Sequence, residues 1–196
     1  MKKSIFWVLG WLFSVSLAVT SCDETGDAVD PYYKWEERNQ LYIDSIARVA
    51  RANPDEWKVI HTYKFNPTVN DLNPDVNDYV YCKVLKNGTG TIKPLFTDSV
   101  DTHYRGQLIP LYDGSQVIFD QSFQGELNPE VAISVNFPVS GVIEGWTTAL
   151  QHMVEGDHWE VYIPYNLAYG TYGQSDIPGY STLIFEVQLA KIYTNR

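Results

Sequence analysis

Side chains that could carry metal, nucleophilic or acid–base chemistry are few in this chain, and their spacing matches none of the common catalytic patterns. No two of the four histidines stand in a His-x-x-x-His spacing, which would place both imidazoles on one helical face. The chain has no Cys-x-x-Cys pair, no glycine-rich phosphate loop and no Gly-x-Ser-x-Gly elbow. The sequence therefore predicts no metal site, no cofactor and no recognisable hydrolytic machinery. His103 is expected on the polar face of a strand, in solvent.

Two isolated groups remain as chemical candidates, a carboxylate and a thiol. Asp120 follows Phe119 within a strand-like segment, and a carboxylate there needs a hydrogen-bond partner or solvent. Cys82 lies in the apolar run from Tyr79 to Leu85. A buried, inert thiol is the favoured interpretation of Cys82, and a reactive thiol is the alternative.

An N-terminal helix is predicted from Tyr32 to Asn53, where Asn53-Pro54 ends it. Its apolar residues recur at helical spacing: Trp35, Tyr42, Ile46 and Val49, flanked by Ile43 and Ala50. The helix is expected to pack on the rest of the domain. A dimerisation or partner helix is the alternative.

Strand-like runs dominate the chain beyond that helix. They are predicted over 57–65, 80–85, 99–106, 117–119, 131–137, 159–163 and 183–192. One short helix is expected over 146–154, and a loop over 66–78. The pattern predicts an α+β fold, in which an antiparallel sheet from about residue 79 onward packs against one short helix.

The N-terminus has the features of a secretory signal. Lys2 and Lys3 precede an uncharged apolar run from Ile5 to Val19, which is shorter than the roughly 20 residues that a membrane span needs. Val19-Thr20-Ser21-Cys22 resembles the lipobox of bacterial lipoproteins, whose cysteine is acylated. Two acyl chains suffice for stable anchoring, so Cys22 is predicted to hold the chain at a membrane of the cell envelope. An ordinary signal peptide with an incidental cysteine is the alternative.

The net charge of −10 argues against one class of partner. An acidic surface repels phosphate backbones, so nucleic-acid binding is not expected. With Cys22 acylated, Cys82 has no intrachain partner, and no disulfide framework is expected.

Several blocks in the second half of the chain, taken in order, resemble the FKBP-type peptidyl-prolyl cis-trans isomerases. They are His103-Tyr104-Arg105-Gly106, Phe119-Asp120-Gln121-Ser122, Val142-Ile143-Glu144-Gly145-Trp146, Leu167-Ala168-Tyr169-Gly170 and Thr182-Leu183-Ile184-Phe185. The resemblance covers about residues 79–193. It implies a twisted antiparallel sheet wrapped around one short helix, with an aromatic pocket between them.

The resemblance also implies roles for individual residues in a proline-binding pocket. Trp146 is expected at the pocket floor, the backbone N–H of Ile143 on the substrate carbonyl, and Tyr169 in a hydrogen bond to ligand. Asp120, linked to Tyr104, is expected to orient the twisting amide without acting as a base. The remaining lining residues are expected to be Phe119, Phe137, Val142, Ile177 and Phe185. Ordinary core packing is the competing interpretation of the apolar members.

The expected organisation is a signal peptide over 1–21, a tether over 22–31, a helix and extension over 32–78, and an isomerase domain over 79–196. The expected function is a membrane-anchored isomerase that acts on proline-containing polypeptides during the folding of exported proteins. A macrolide is an expected ligand. The alternative is a non-catalytic binding module of an envelope assembly. Departures from the family pattern, such as Pro178-Gly179 and the long hairpin 107–115, bear on substrate preference, and the loop 174–176 is expected over the pocket.

Overall fold

The computed structural model describes residues 29–64 and 75–195. The predicted signal peptide, Cys22 and most of the predicted loop over 66–78 lie outside these residues. Within them, seven antiparallel strands form one sheet. The strands are β1 (Trp57–His61), β2 (Tyr79–Lys86), β3 (Ser99–Leu108), β4 (Ile118–Gln121), β5 (Val135–Pro138), β6 (His158–Ile163) and β7 (Leu183–Tyr193). Their order is β1-β2-β6-β7-β3-β4, with β5 also paired to β3. This architecture confirms the predicted α+β class.

The short helix α2 (Glu144–Leu150) packs on one face of the sheet, which we call the inner face. Gly145 permits this approach, because a Cβ at that position would lie only 2.3 Å from Cγ2 of Ile163. The helix ends earlier than the predicted 154. After it, the backbone N–H groups of His152 and Met153 donate to the carbonyl oxygens three residues earlier, those of Ala149 and Leu150. Gly156 then adopts a φ of 90°.

The N-terminal helix α1 (Trp35–Ala52) packs on the opposite, outer face. Tyr162 alternates with the inner-facing Ile163, and its ring lies 6.4 Å from Tyr42 of α1 and 5.5 Å from Trp57 of β1. The helix therefore packs against the rest of the domain, as the favoured interpretation predicted.

The predicted apolar stripe of α1 was wrong at one end. Val49 is 45% exposed, whereas the buried residues are Trp35, Asn39, Ile43, Ala47 and Ala50. Alanine at two of these positions gives the helix a narrow surface that can approach the sheet closely. Hydropathy alone favours the larger side chains, and it therefore rotates the predicted stripe away from the true contact line.

Two predictions in the region before β5 were also wrong. Val131 and Ile133 are 77% and 81% exposed, because residues 128–132 form a turn in which Asn128 accepts two backbone hydrogen bonds. β5 therefore begins at Val135. The same segment passes close to His103, which is 3% exposed. Burial lowers the pKa of His103, so this histidine is neither solvated nor readily charged.

Cys82 is fully buried in β2, and burial raises the pKa of its thiol. The predicted burial of this residue is confirmed. Neither α1 nor α2, the two α-helices within the described ranges, is long and apolar enough to cross a membrane.

Candidate active site

A cavity of about 780 Å³ opens between α2, β3, β4, β5 and the connection from β6 to β7. All ten residues predicted for catalysis and substrate binding line it: Tyr104, Phe119, Asp120, Phe137, Val142, Ile143, Trp146, Tyr169, Ile177 and Phe185. Six further lining residues are Val117, Ile118, Gly141, Gln174, Ser175 and Asp176. The sequence indicated the loop 174–176 as a neighbour of the pocket, but it carried no signal for the first three.

Trp146 forms the centre of the cavity. It lies in the first turn of α2, and its ring meets three other aromatic rings edge to face. The ring centroids lie 5.5 Å from Tyr104, 5.6 Å from Phe137 and 5.2 Å from Phe185, at interplanar angles of 88°, 72° and 83°. This geometry is the one that aromatic quadrupoles favour. Each ring fixes the tilt of its neighbours, so the floor of the cavity is preformed.

Gly106 allows the wall of the cavity to close. Phe119 and Phe185 meet edge to face at 5.5 Å, directly over this glycine of β3. A Cβ at position 106 would lie 2.6 Å from both rings, which is closer than real contacts allow. The glycine of the His103–Gly106 block is thus a site residue that the block contained but that the predicted list of lining residues omitted.

Tyr104 and Asp120 form a hydrogen-bonded polar pair in the lining of the cavity. The Tyr104 hydroxyl donates a hydrogen bond of 2.8 Å to Oδ2 of Asp120. Tyr104 is buried and Asp120 is exposed, which answers the need of a strand carboxylate for a partner or solvent. Burial and the hydrogen bond to Asp120 raise the pKa of Tyr104, so its phenol remains a neutral donor.

The connection between β6 and β7 forms the remaining wall. We call its distal part the 170–182 loop, and Tyr169 precedes it directly. Burial, with a smaller contribution from Asp120, raises the pKa of Tyr169. At the tip, Gln174 and Ile177 exchange two backbone hydrogen bonds of 3.0 and 2.9 Å around Ser175, which has a φ of 50°. Ile177 is thereby turned inward, and it is buried.

The arrangement suits the twisting of an amide better than bond cleavage. Among residues 29–64 and 75–195, no group of three or more potential ligands could hold a metal ion. The described lining residues include two carboxylates, Asp120 and Asp176, and no lysine, arginine or histidine. A cavity with an aromatic floor and the neutral phenols of Tyr104 and Tyr169 in its lining offers a surface for a proline ring and a polar edge for the amide beside it.

Comparison with known proteins places this geometry in a family. The model for the FKBP-type peptidyl-prolyl cis-trans isomerases matches residues 90–190. The FKBP-type 22 kDa peptidyl-prolyl cis-trans isomerase of Escherichia coli is 46% identical over 112 residues, covering 56% of this chain and 48% of that protein. The macrophage infectivity potentiator of Trypanosoma cruzi is 42% identical over 196 residues, covering 97% of this chain and 83% of that protein. The chain thus spans about half the length of the Escherichia coli relative.

Solved structures show the same fold. FkpA from Escherichia coli superimposes with a TM-score of 0.58 at 27% identity, over 84% of this chain and 63% of that one. A peptidyl-prolyl cis-trans isomerase from Pseudomonas syringae pv. tomato gives a TM-score of 0.55 at 30% identity, over 81% and 96% of the two chains. Sequence and fold agree on the part of the chain that builds the pocket, and the chain is therefore a member of the FKBP-type peptidyl-prolyl cis-trans isomerase family.

Proposed function

We propose that this chain isomerises X–Pro bonds at a membrane of the cell envelope, where it assists the folding of exported proteins. The observation that carries the proposal is the Trp146-centred aromatic cavity with the Tyr104–Asp120 pair at its rim. Its family membership supports the reaction class.

The reaction requires only that the barrier to rotation be lowered. Twisting an amide costs about 18–20 kcal/mol because resonance is lost, and no bond needs to break. Water stabilises the planar, charge-separated amide more than the twisted one. A proline ring seated on Trp146 would bring its amide out of water, and this environment favours the less polar twisted state.

Polar groups at the rim would orient the amide while it twists. In this proposal the backbone N–H of Ile143, just before α2, would hold the carbonyl on the proline side, and Asp120 would lie beside the twisting carbonyl. Asp120 then acts through its charge and through the tilt of Tyr104, without taking a proton. Tyr169 would donate a hydrogen bond to the bound polypeptide.

A protease-coupled assay on short X–Pro peptides tests the reaction. The chain should accelerate cis-to-trans conversion, and a macrolide that fills the aromatic cavity should inhibit this acceleration. Binding of an X–Pro peptide without any acceleration across a panel of X residues would instead establish a non-catalytic binding module.

Membrane anchoring is supported by the N-terminal sequence and by the name of one relative. Its lipobox-like segment ends at Cys22. One relative, from Legionella longbeachae, is named an outer membrane protein. The variant Cys22→Ala should lose acyl labelling and leave the membrane fraction, with Cys82→Ala as the matched control that keeps both. Unchanged labelling of Cys22→Ala would refute the anchor and leave the isomerase proposal intact.

A further inference from the structure

The first two turns of α1 contact both loops that border the pocket, although α1 lies outside the residues that match the family model. One is the 109–117 loop between β3 and β4, and the other is the 170–182 loop before β7. The first supplies Val117 to the wall of the cavity and the second supplies residues 174–177. The position of either loop therefore sets the width of the cavity.

Trp35 begins a hydrogen-bond relay that ends beside the pocket. Its indole N–H donates to Oγ of Ser181 at 3.0 Å, and the Ser181 hydroxyl donates to the carbonyl oxygen of Pro178 at 2.6 Å. Both Trp35 and Ser181 are buried, so water does not compete for these bonds. Pro178 follows Ile177, which lines the cavity. The relay thus joins the helix to the pocket wall.

Asn39 ties down the same loop one turn further along the helix. Its Nδ2 donates to the carbonyl oxygen of Trp35, and its Oδ1 accepts the backbone N–H of Thr182, each at 2.7 Å. Asn39 and Thr182 are both buried. A buried amide that loses its partner is costly, so Thr182 is held in one position relative to α1.

Arg38 and the segment before it reach the other loop. The Arg38 guanidinium donates to the carbonyl oxygen of Pro110 and lies 5.9 Å from the ring centroid of Tyr112. The backbone N–H of Tyr112 donates to the carbonyl oxygen of Pro31 at 3.0 Å, and its ring meets Tyr33 edge to face at 5.3 Å. The start of α1 therefore holds the 109–117 loop through both backbone and side chains.

The 170–182 loop is packed tightly enough to transmit a displacement. Its two arms run in backbone contact, since a Cβ at Gly179 would lie 2.0 Å from the carbonyl oxygen of Thr171. A Cβ at Gly173 would lie 2.2 Å from that of Ile177. Arms in such contact move together, so a shift at Ser181 reaches Ile177 and the cavity.

We propose that the first two turns of α1 brace both loops, and that Trp35, Arg38 and Asn39 are positioning residues for the pocket. The brace gives the N-terminal extension a role in binding and turnover beyond its contribution to the core. The expected effect of the brace on kcat/KM rests on the proposed isomerase function, whereas its expected effect on loop motion does not.

A double-mutant cycle on the relay tests the proposal. Trp35→Phe keeps an aromatic ring but removes the N–H donor, and Ser181→Ala removes the hydroxyl. Each should lower kcat/KM for an Ala-Leu-Pro-Phe anilide by roughly three- to tenfold, and the double variant should be no worse than either single, because both break one relay. Hydrogen exchange at the backbone N–H of Ile177 should accelerate in all three.

The matched control is Ala50→Gly, about four turns away in the same helix and buried against the sheet. It should lower the melting temperature but leave kcat/KM and Ile177 exchange unchanged. Arg38→Met should accelerate exchange in the 109–117 loop alone. Additive losses in the cycle, unchanged Ile177 exchange, or an equal loss of kcat/KM in Ala50→Gly would each overturn the brace. If the wild type accelerates no peptide, the isomerase proposal fails, and the exchange measurements still decide whether the brace exists.

Discussion

At the scale of single residues, Asp120 of the Tyr104–Asp120 pair allows the chemistry of the site to be tested apart from the packing of the core. Asp120 is exposed and buries little apolar surface, so its removal should not weaken the core. Asp120→Ala is expected to lower kcat/KM on X–Pro peptides while leaving the urea midpoint nearly unchanged. Since no proton is transferred, the wild-type rate should lack a bell-shaped dependence between about pH 6 and 9. Full activity of Asp120→Ala would remove the proposed role for this carboxylate.

Phe185, in contrast, contributes both to the stability of the core and to the pocket. It is buried and packs edge to face against both Trp146 and Phe119. Phe185→Ala should therefore lose about 3–5 kcal/mol of unfolding free energy together with activity. Phe96→Ala is the matched control, because Phe96 is 43% exposed and is not among the residues that line the cavity. Equal stability of the two variants in urea would contradict the assignment of Phe185 to both core and pocket.

The sequence could predict the residues of the pocket better than their surroundings. The resemblance of the blocks around Tyr104, Trp146 and Tyr169 to the FKBP-type isomerases implied a shared pocket, and the fold brings these residues together in one cavity. His103 was misplaced because its burial depends on a loop some thirty residues away, around Ile133. Periodicity within a strand shows which residues share a face, but it does not show which faces a distant loop will cover.

At the scale of elements, α2 must lie close to the sheet for Trp146 to reach the cavity floor. Gly145 makes this possible, so Gly145→Ala should push α2 away from Ile163. We expect a loss of about 1–3 kcal/mol and a lower affinity for X–Pro peptides. For stability, the control is Gly141→Ala, just before the helix, because its Cβ would meet Pro138 at an ordinary 3.5 Å. A urea midpoint of Gly145→Ala equal to that of the wild type would show that α2 can move away from the sheet without loss of stability.

The N-terminal elements α1 and β1 bear on where the folding unit begins. A division at about residue 79 remains our proposal, and a chain starting at Asp78 should still unfold cooperatively in urea. Its midpoint should fall, because Tyr162 loses the rings of Tyr42 and Trp57 that cover it. A gradual, non-cooperative transition would instead place α1 and β1 within the minimal folding unit.

At the scale of the whole molecule, buried phenols make the fold sensitive to alkali. Burial raises the pKa of Tyr81, Tyr104, Tyr162 and Tyr169 above the ordinary value of 10.0. In the unfolded chain these groups ionise near that value, while the folded chain keeps them neutral. Above it the unfolded state has released protons that the folded state retains, so the free energy of unfolding falls as pH rises. Below it, this contribution is fully present.

Urea unfolding at intervals between about pH 8 and 11 would measure this fall. Tyr162→Phe removes one of the phenols and should make the decline shallower. A free energy of unfolding that stays constant over the same interval would contradict the prediction.

The burial of Cys82 has a practical consequence for kinetics. Its thiol lies within β2, between the paired residues Lys58 of β1 and Val161 of β6, and has no contact with solvent. In the Cys22→Ala chain it is the sole sulfhydryl. A water-soluble thiol reagent can modify it only while the neighbouring strands are apart. The rate of its modification therefore reports how often the centre of the sheet opens under native conditions, without any denaturant or introduced cysteine.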